Sequence, residues 1–331
     1  MSYPHKSNTS SSSFKRKPDE FDENLSSNKS RKTSAGATPQ HVVAEHYNSI
    51  EDKGKQRRLE SKIIFLRNFN NWVKSVLIGI NTPERGVILD IGCGKGGDLL
   101  KWGKAKISKL VGLDIAEVSI NDAKNRFGKI DQKFDAEFHV FDCFSKRISM
   151  IESIKNIKFD VVSMQFCIHY SFETEEKAKM ALQNISSNLK KGGSFIGTVP
   201  DAYWIVKKLK SLGPDQLEFG NSIYSIRFEQ KNDFPTFGHK YWFNLEDAIN
   251  DCPEYLVHFP TFKRMASEYG LELKYLDRFH DMYDKMKEKR QHRDLLYKMG
   301  VIRHKKQPGV MSQDEWEAAG IYKVFEFTKV R

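Results

Sequence analysis

The feature that most constrains this chain is a glycine-rich loop set between two apolar segments. Val87-Ile88-Leu89 runs into Asp90-Ile91-Gly92-Cys93-Gly94-Lys95-Gly96-Gly97-Asp98, and Leu99-Leu100-Lys101-Trp102 follows. Gly92, Gly94 and Gly97 satisfy the spacing G-x-G-x-x-G, which permits a tight turn and close approach of backbone to a ligand at a helix N-terminus. Such a loop requires a strand before it and a helix after it, so it predicts the first crossover of a parallel sheet.

The remaining sequence extends that expectation. Ile63, Ile64, Leu66, Phe69, Trp72, Val73, Val76 and Leu77 recur at helical spacing within residues 57–80 and predict an amphipathic helix ahead of the first strand. Short apolar runs at Leu110–Leu113, Glu137–Phe141, Phe159–Met164 and Ser194–Val199 alternate with helical patterns. The fold class expected is therefore α/β, with a doubly wound, mainly parallel sheet whose ligand lies beyond the C-terminal strand ends. After Pro200 the alternation at Ile223–Phe228 and Tyr241–Leu245 predicts an added hairpin, Pro260–Tyr269 a helix, and Ile321–Phe327 a closing strand. The segment Asp281–Ser312, with the basic run Met282–Arg290 read as helical, is expected as a C-terminal insertion.

Residues 1–40 contain ten serines and no periodic apolar pattern, so a disordered tail is expected there, with one folded domain over 41–331. Lys15-Arg16-Lys17 and Lys29-Ser30-Arg31-Lys32 flank an acidic spacer in the manner of a bipartite nuclear import signal, so a nuclear location is expected. No run of about eighteen apolar residues suggests a membrane span, and the N-terminus lacks an apolar leader. The expectation is a soluble intracellular protein with no membrane partner. Cys93, Cys143, Cys167 and Cys252 are too scattered for a zinc site or a disulfide frame, and no metal is expected. The surplus of 11 basic over acidic residues favours polyanionic partners without choosing among them.

Two ligands compete for the glycine loop. A dehydrogenase would place a pyrophosphate there, and Asp114, twenty residues after Gly94, would suit a ribose in either case. Asp90, just before the first glycine, would repel a pyrophosphate but suits a cationic or amino ligand, while Asp142 is positioned to accept from an adenine amino group. All three are expected at the ends of successive strands. Together they favour S-adenosylmethionine over a dinucleotide.

Val43-Ala44-Glu45-His46-Tyr47-Asn48, Leu66-Arg67-Asn68-Phe69-Asn70-Asn71-Trp72-Val73-Lys74 and the glycine loop through Trp102 resemble segments of the cellular mRNA cap guanine-N7 methyltransferases. So do Gln165–Glu173, Phe243-Asn244-Leu245-Glu246 and Ile321-Tyr322-Lys323-Val324-Phe325. The resemblance implies a Rossmann-like class I methyltransferase fold, S-adenosyl-L-methionine as cofactor and the capped 5′ end of mRNA as substrate. It places Lys74, Gly92, Asp114, Asp142, Gln165 and Tyr170 on the cofactor. Lys74 would meet the methionine carboxylate, Asp114 the ribose and Asp142 the adenine edge. On the cap side it places Asn70, Asn71, Lys95, Lys101, Arg126, His169, Glu246 and Tyr322. Glu246 would accept from guanine N1–H and its 2-amino group, Lys95, Lys101 and Arg126 would face the triphosphate, and Tyr322 and His169 would stack on or hold the base.

No general base is expected, because guanine N7 is unprotonated at neutral pH. The segment Asp281–Ser312 is shorter than in vertebrate relatives, where it engages an activating partner, so that partnership is in doubt here. Transcription or capping machinery remains a candidate partner. A methyltransferase for another substrate and a non-catalytic RNA-binding subunit on the same fold stay open as alternatives.

Overall fold

A computed structural model of the chain describes residues 43–46, 48, 60–131, 133–302 and 311–331. The expected tail and its basic clusters lie outside the described residues, as does Tyr47.

The first long helix, α1 (Ile64–Asn81), buries Leu66, Phe69, Trp72, Val73, Val76 and Leu77 along the stripe that the sequence spacing marks. It starts later than the periodicity suggests. Residues 60–63 turn instead, held by Ser61 Oγ donating to Asp247 Oδ2 at 2.9 Å, and the N–H of Leu66 is taken by the buried carboxylate of Glu315 at 3.0 Å. A side-chain acceptor from far along the chain thus satisfies a first-turn donor that no local residue caps.

The alternation that follows is β1 (Val87–Ile91), α2 (Leu99–Lys104), β2 (Lys109–Asp114), α3 (Glu117–Phe127), β3 (Asp135–Val140), β4 (Phe159–Gln165), α4 (Glu175–Asn188) and β5 (Leu189–Pro200). Next come α5 (Ala202–Lys210), β6 (Glu218–Gly220), β7 (Tyr224–Phe228), β8 (Lys240–Leu245), β9 (Ile249–Tyr255), α6 (Phe259–Glu268) and β10 (Leu271–Arg278). Helices α7 (Phe279–Met286), α8 (Arg290–Lys298) and α9 (Gln313–Ala319) precede β11 (Tyr322–Lys329). Among the described residues, seven strands form one sheet in the order β10-β11-β5-β4-β1-β2-β3. Strands β1 to β5 are mutually parallel, and β11 enters antiparallel between β5 and β10. The mainly parallel, doubly wound architecture expected from the alternation is the one observed, with an apolar cluster on each face of the sheet.

Three details differ from expectation. The hairpin exists as the antiparallel pair β7–β8, but β6 and β9 extend it to a four-stranded sheet. The run Met282–Arg290 is not one helix, since α7 ends at Met286 and α8 begins at Arg290. Lys287, Glu288 and Lys289 carry the chain between the two helices without a buried apolar residue to hold the turn in register. Finally, β10 carries no earlier counterpart in the sequence reading, and it supplies the sheet edge.

Candidate functional site

The glycine loop turns sharply because the N–H groups of Gly92 and Cys93 both donate to the carbonyl of Leu113 at the end of β2, at 2.7 and 3.1 Å. Gly92 has φ +70°, and a Cβ there would lie 2.8 Å from the Cβ and Sγ of Cys167. Gly96 has φ +69°, and its Cβ would lie 2.7 Å from the Leu99 side chain. Gly97, the third glycine of the literal pattern, has neither constraint. The conformational demand sits one residue earlier than the spacing motif implies.

This turn opens a cavity of about 260 Å³ at the C-terminal ends of β1, β2 and β4. Five of the six residues assigned to the cofactor from the sequence line it: Gly92, Asp114, Asp142, Gln165 and Tyr170. Asp114 ends β2 and is fixed by two backbone donors, Gly94 N to Oδ2 at 2.8 Å and Ala116 N to Oδ1 at 2.9 Å. Burial nevertheless raises its carboxyl above the usual range. A carboxylate has about four acceptor positions, so each oxygen keeps one for a ligand hydroxyl. Asp142 lies past the end of β3, in a turn where it accepts from Phe144 N at 3.0 Å. Gln165 ends β4 with Nε2 donating to Ser163, while its buried Oε1 has no hydrogen-bond partner. An acceptor left bare at a cavity wall is a demand for a ligand donor.

Lys74 does not line the cavity. Its ammonium pairs with Asp98 at 2.8 Å and stands 5.9 Å over the ring of Phe166, which does line it. Lys101 shares the same carboxylate at 2.7 Å and donates to Asn71 Oδ1 at 2.8 Å, tying α1 to α2. Burial opposes the charge on Asp98, yet the two ammonium groups hold its carboxyl well below the usual range. Next to this cluster Asn70 keeps a buried Oδ1 with no hydrogen-bond partner. Asp90 is not at the strand rim; it lies within β1, 4% exposed, accepting from Trp102 Nε1 at 3.3 Å. Burial, reinforced by the charge of Asp98, pushes its carboxyl up to about 7. Lys95 pairs with Asp122 at 2.9 Å, and Arg126 is half-buried in the last turn of α3.

A second cluster adjoins the cavity. Phe166 holds φ +58°, costly for an aromatic residue, and its N–H donates to the buried Thr198 hydroxyl at 2.8 Å. The ring meets Tyr322 edge-on at 4.9 Å. His169 is 2% exposed, packs at 4.2 Å from the Tyr170 ring and faces Glu254 Oε1 at 3.5 Å. Neither of its ring nitrogens has a hydrogen-bond partner. Glu254, on β9, is 3% exposed and accepts from the phenol of Tyr241 at 2.6 Å. Burial and the adjacent carboxylate raise that phenol well above its usual range.

Tyr322 reaches this cluster through Phe166 and His169 lies within it against Glu254, but Glu246 does not join them. It sits after β8 with its side chain 38% exposed, paired to Lys62 at 3.0 Å. The acidic side chain beside His169 is Glu254, which sequence reasoning missed together with Phe166. A lone acid within the otherwise apolar run Cys252-Pro253-Glu254-Tyr255-Leu256-Val257 is the available signal for Glu254. Pro253 beside it concealed the strand, although β9 is a sheet edge where proline is tolerated.

Residues 29–330 match the family described as the mRNA (guanine-N(7))-methyltransferase domain. A protein of Cryptococcus neoformans named mRNA cap guanine-N(7) methyltransferase is 47% identical over 298 residues, covering 87% of this chain and 48% of that protein. The Schizosaccharomyces pombe protein of the same name is 45% identical over 297 residues, 88% of this chain and 82% of that protein. This chain thus spans about half the length of the first relative and most of the second. The CcbJ methyltransferase of Streptomyces caelestis superposes with a TM-score of 0.51 at 10% identity, over 79% of this chain and 90% of that one, a likeness of fold.

Proposed function

The chain belongs to the mRNA cap guanine-N7 methyltransferase family, and from that premise we propose that it transfers a methyl group from S-adenosylmethionine to N7 of the guanosine capping a messenger RNA. The observation that carries the reading is the buried carboxylate of Glu254, beside His169 and next to the cavity at the glycine loop.

The cavity fits the cofactor chemically. Asp114 offers acceptors for ribose hydroxyls, Asp142 with Phe141 and Phe144 offers an acceptor among aromatic walls for an adenine, and the bare Oε1 of Gln165 offers a seat for an amino group. Lys74, with its charge already shared by Asp98, acts on this pocket from behind Phe166. Bound there, the cofactor supplies an electrophilic methyl group, and we propose in-line attack on it by the N7 lone pair without a general base.

The chain's own contribution is then recognition and orientation, which is worth roughly 7–11 kcal/mol when complete. Glu254 accepts from guanine N1–H and the 2-amino group, donors that adenine lacks in that arrangement. The Tyr241 hydroxyl fixes its rotamer. As N7 becomes bonded, the purine gains positive charge, and a buried carboxylate binds that cation more strongly than the neutral base. Phe166 and Tyr322 wall the base, and Lys95, Lys101 and Arg126 are assigned to the triphosphate side, where Lys95 must exchange Asp122 for a phosphate. Glu254 replaces Glu246 in this assignment.

Incubation with labelled S-adenosylmethionine and GpppG- or GpppA-capped RNA tests the reading. Label at guanine N7 is expected, whereas label on a ribose oxygen or on adenine overturns it. We also propose capped mRNA as the macromolecular partner and the nucleus as the location, supported by the family's substrate and by the two basic clusters within residues 15–32. Among the described residues no helix is long and apolar enough to cross a membrane.

A further inference from the structure

Beside the guanine site lies a second groove that the reading above does not use. It is lined by Tyr203, Val206 and Lys210 of α5, by Phe234, and by Leu256 and His258 after β9. Two stretches of chain join it to the guanine site. Leu256 follows Glu254 by two residues, about 7 Å along an extended chain. On the other side, Pro200 pairs with Tyr322 in the sheet, and Tyr203 is three residues beyond it.

The groove has the chemistry of a single-stranded nucleic-acid path. Tyr203 is 56% exposed, more than any other aromatic among the described residues. Its ring is held in place rather than loose: Lys323 stands 5.7 Å over it and His258 packs at 6.1 Å. Lys210 stands 4.9 Å over the ring of Phe234 across the groove. Helix α5 brings Lys207, Lys208 and Lys210 in its last turn; Lys208 pairs with Glu317 at 2.7 Å and Lys323 with the N-cap Asp201 at 3.0 Å, so the groove's charge rests on Lys207 and Lys210. An aromatic platform interleaved with cations is the arrangement that stacks bases and tracks phosphates without reading sequence.

Resting on the functional reading above, we propose that this groove carries the transcript beyond the cap dinucleotide, with a base stacked on Tyr203 and the backbone passing Lys210. The occupant is the substrate's own RNA chain, chosen because the groove combines positive charge with an exposed ring and opens beside the residue assigned to guanine.

Steady-state N7 methylation of the dinucleotide GpppG and of a capped ten-nucleotide RNA, by wild type, Tyr203→Ala, Tyr203→Phe and Lys210→Ala, tests it. Wild type is expected to have the lower KM on the capped RNA. Tyr203→Ala should raise the ratio of the two KM values, RNA over dinucleotide, about tenfold, with Tyr203→Phe restoring it and Lys210→Ala raising it less. Equal KM values for both substrates in wild type, or an unchanged ratio in Tyr203→Ala with its melting temperature preserved, overturn the proposal while leaving the cap reading intact. Failure of wild type to methylate the capped RNA at N7 overturns the cap reading itself, and the proposal with it.

Discussion

The two halves of the site are built in opposite ways. The cofactor half comes from neighbouring parallel strands: Gly92 and Asp114 lie on successive elements, and the loop folds directly against Leu113. The half proposed for guanine gathers Phe166, His169, Glu254 and Tyr322 from the loop after β4, from β9 and from β11. Where backbone geometry forces a residue type, as at Gly92, the sequence announces the role. Where a side chain matters only because distant elements converge on it, the sequence offers several equivalent candidates.

Glu246 and Glu254 show the limit. Glu246 opens the β8–β9 turn and Glu254 stands eight residues later on β9, where apolar neighbours in sequence are a local mark of burial but do not say what the carboxylate meets. Burial decides, and burial follows from β9 pairing with β8 and facing His169. Glu254→Gln should lower kcat/KM on capped RNA by at least about a hundredfold, the scale of losing two charge-assisted hydrogen bonds, while calorimetric binding of S-adenosylhomocysteine stays near wild type. Glu246→Gln, which gives up only an exposed pair with Lys62, should stay within about threefold. Exchanged outcomes would return the guanine role to Glu246 and make the guanine half as local as the other.

The cofactor half predicts a smaller, complementary loss. Asp114→Asn replaces one acceptor oxygen by a donor while keeping size, so the affinity for S-adenosylhomocysteine should fall about tenfold by titration calorimetry. Cap affinity should not move. An equal loss on both ligands would mean that Asp114 supports the whole rim through Gly94 and Ala116 rather than one ligand.

The sequence marks even the cofactor half incompletely. The five strands and the helix after the loop follow from apolar periodicity and turn chemistry, which act over a few residues, whereas the resemblance to the cap methyltransferases is what places Gln165 and Tyr170 on the cofactor. The literal glycine spacing points to Gly97, yet the positive φ and the crowding by Leu99 fall on Gly96, because a motif records spacing and not dihedral angles. Gly96→Ala should therefore cost about 1–3 kcal/mol of stability in urea unfolding, and Gly97→Ala no more than about 0.5 kcal/mol. Similar costs at both would restore the motif's own assignment.

The smallest expected effect is a slope rather than a loss, and it concerns a residue that the two halves do not share. Asp90 was expected at the rim, but it lies beneath the loop against Trp102, so its substitution bears on the scaffold more than on either ligand. Its carboxyl releases its proton near 3.8 when unfolded and near 7 when folded. Between those values the folded state holds the extra proton, so this residue makes stability fall as pH rises, with no further change above the upper value. Asp98 has the opposite sign: held well below the usual range, it contributes stability that is lost only at more acidic pH. Asp90→Asn should flatten the decline between pH 5 and pH 7 in urea unfolding, and subtracting the variant's profile from that of wild type isolates Asp90 from Asp114, whose carboxyl is also raised by burial. Parallel profiles would mean that Asp90 stays ionised, paired electrostatically with Lys74, and would bring it back into the charged cluster behind Phe166.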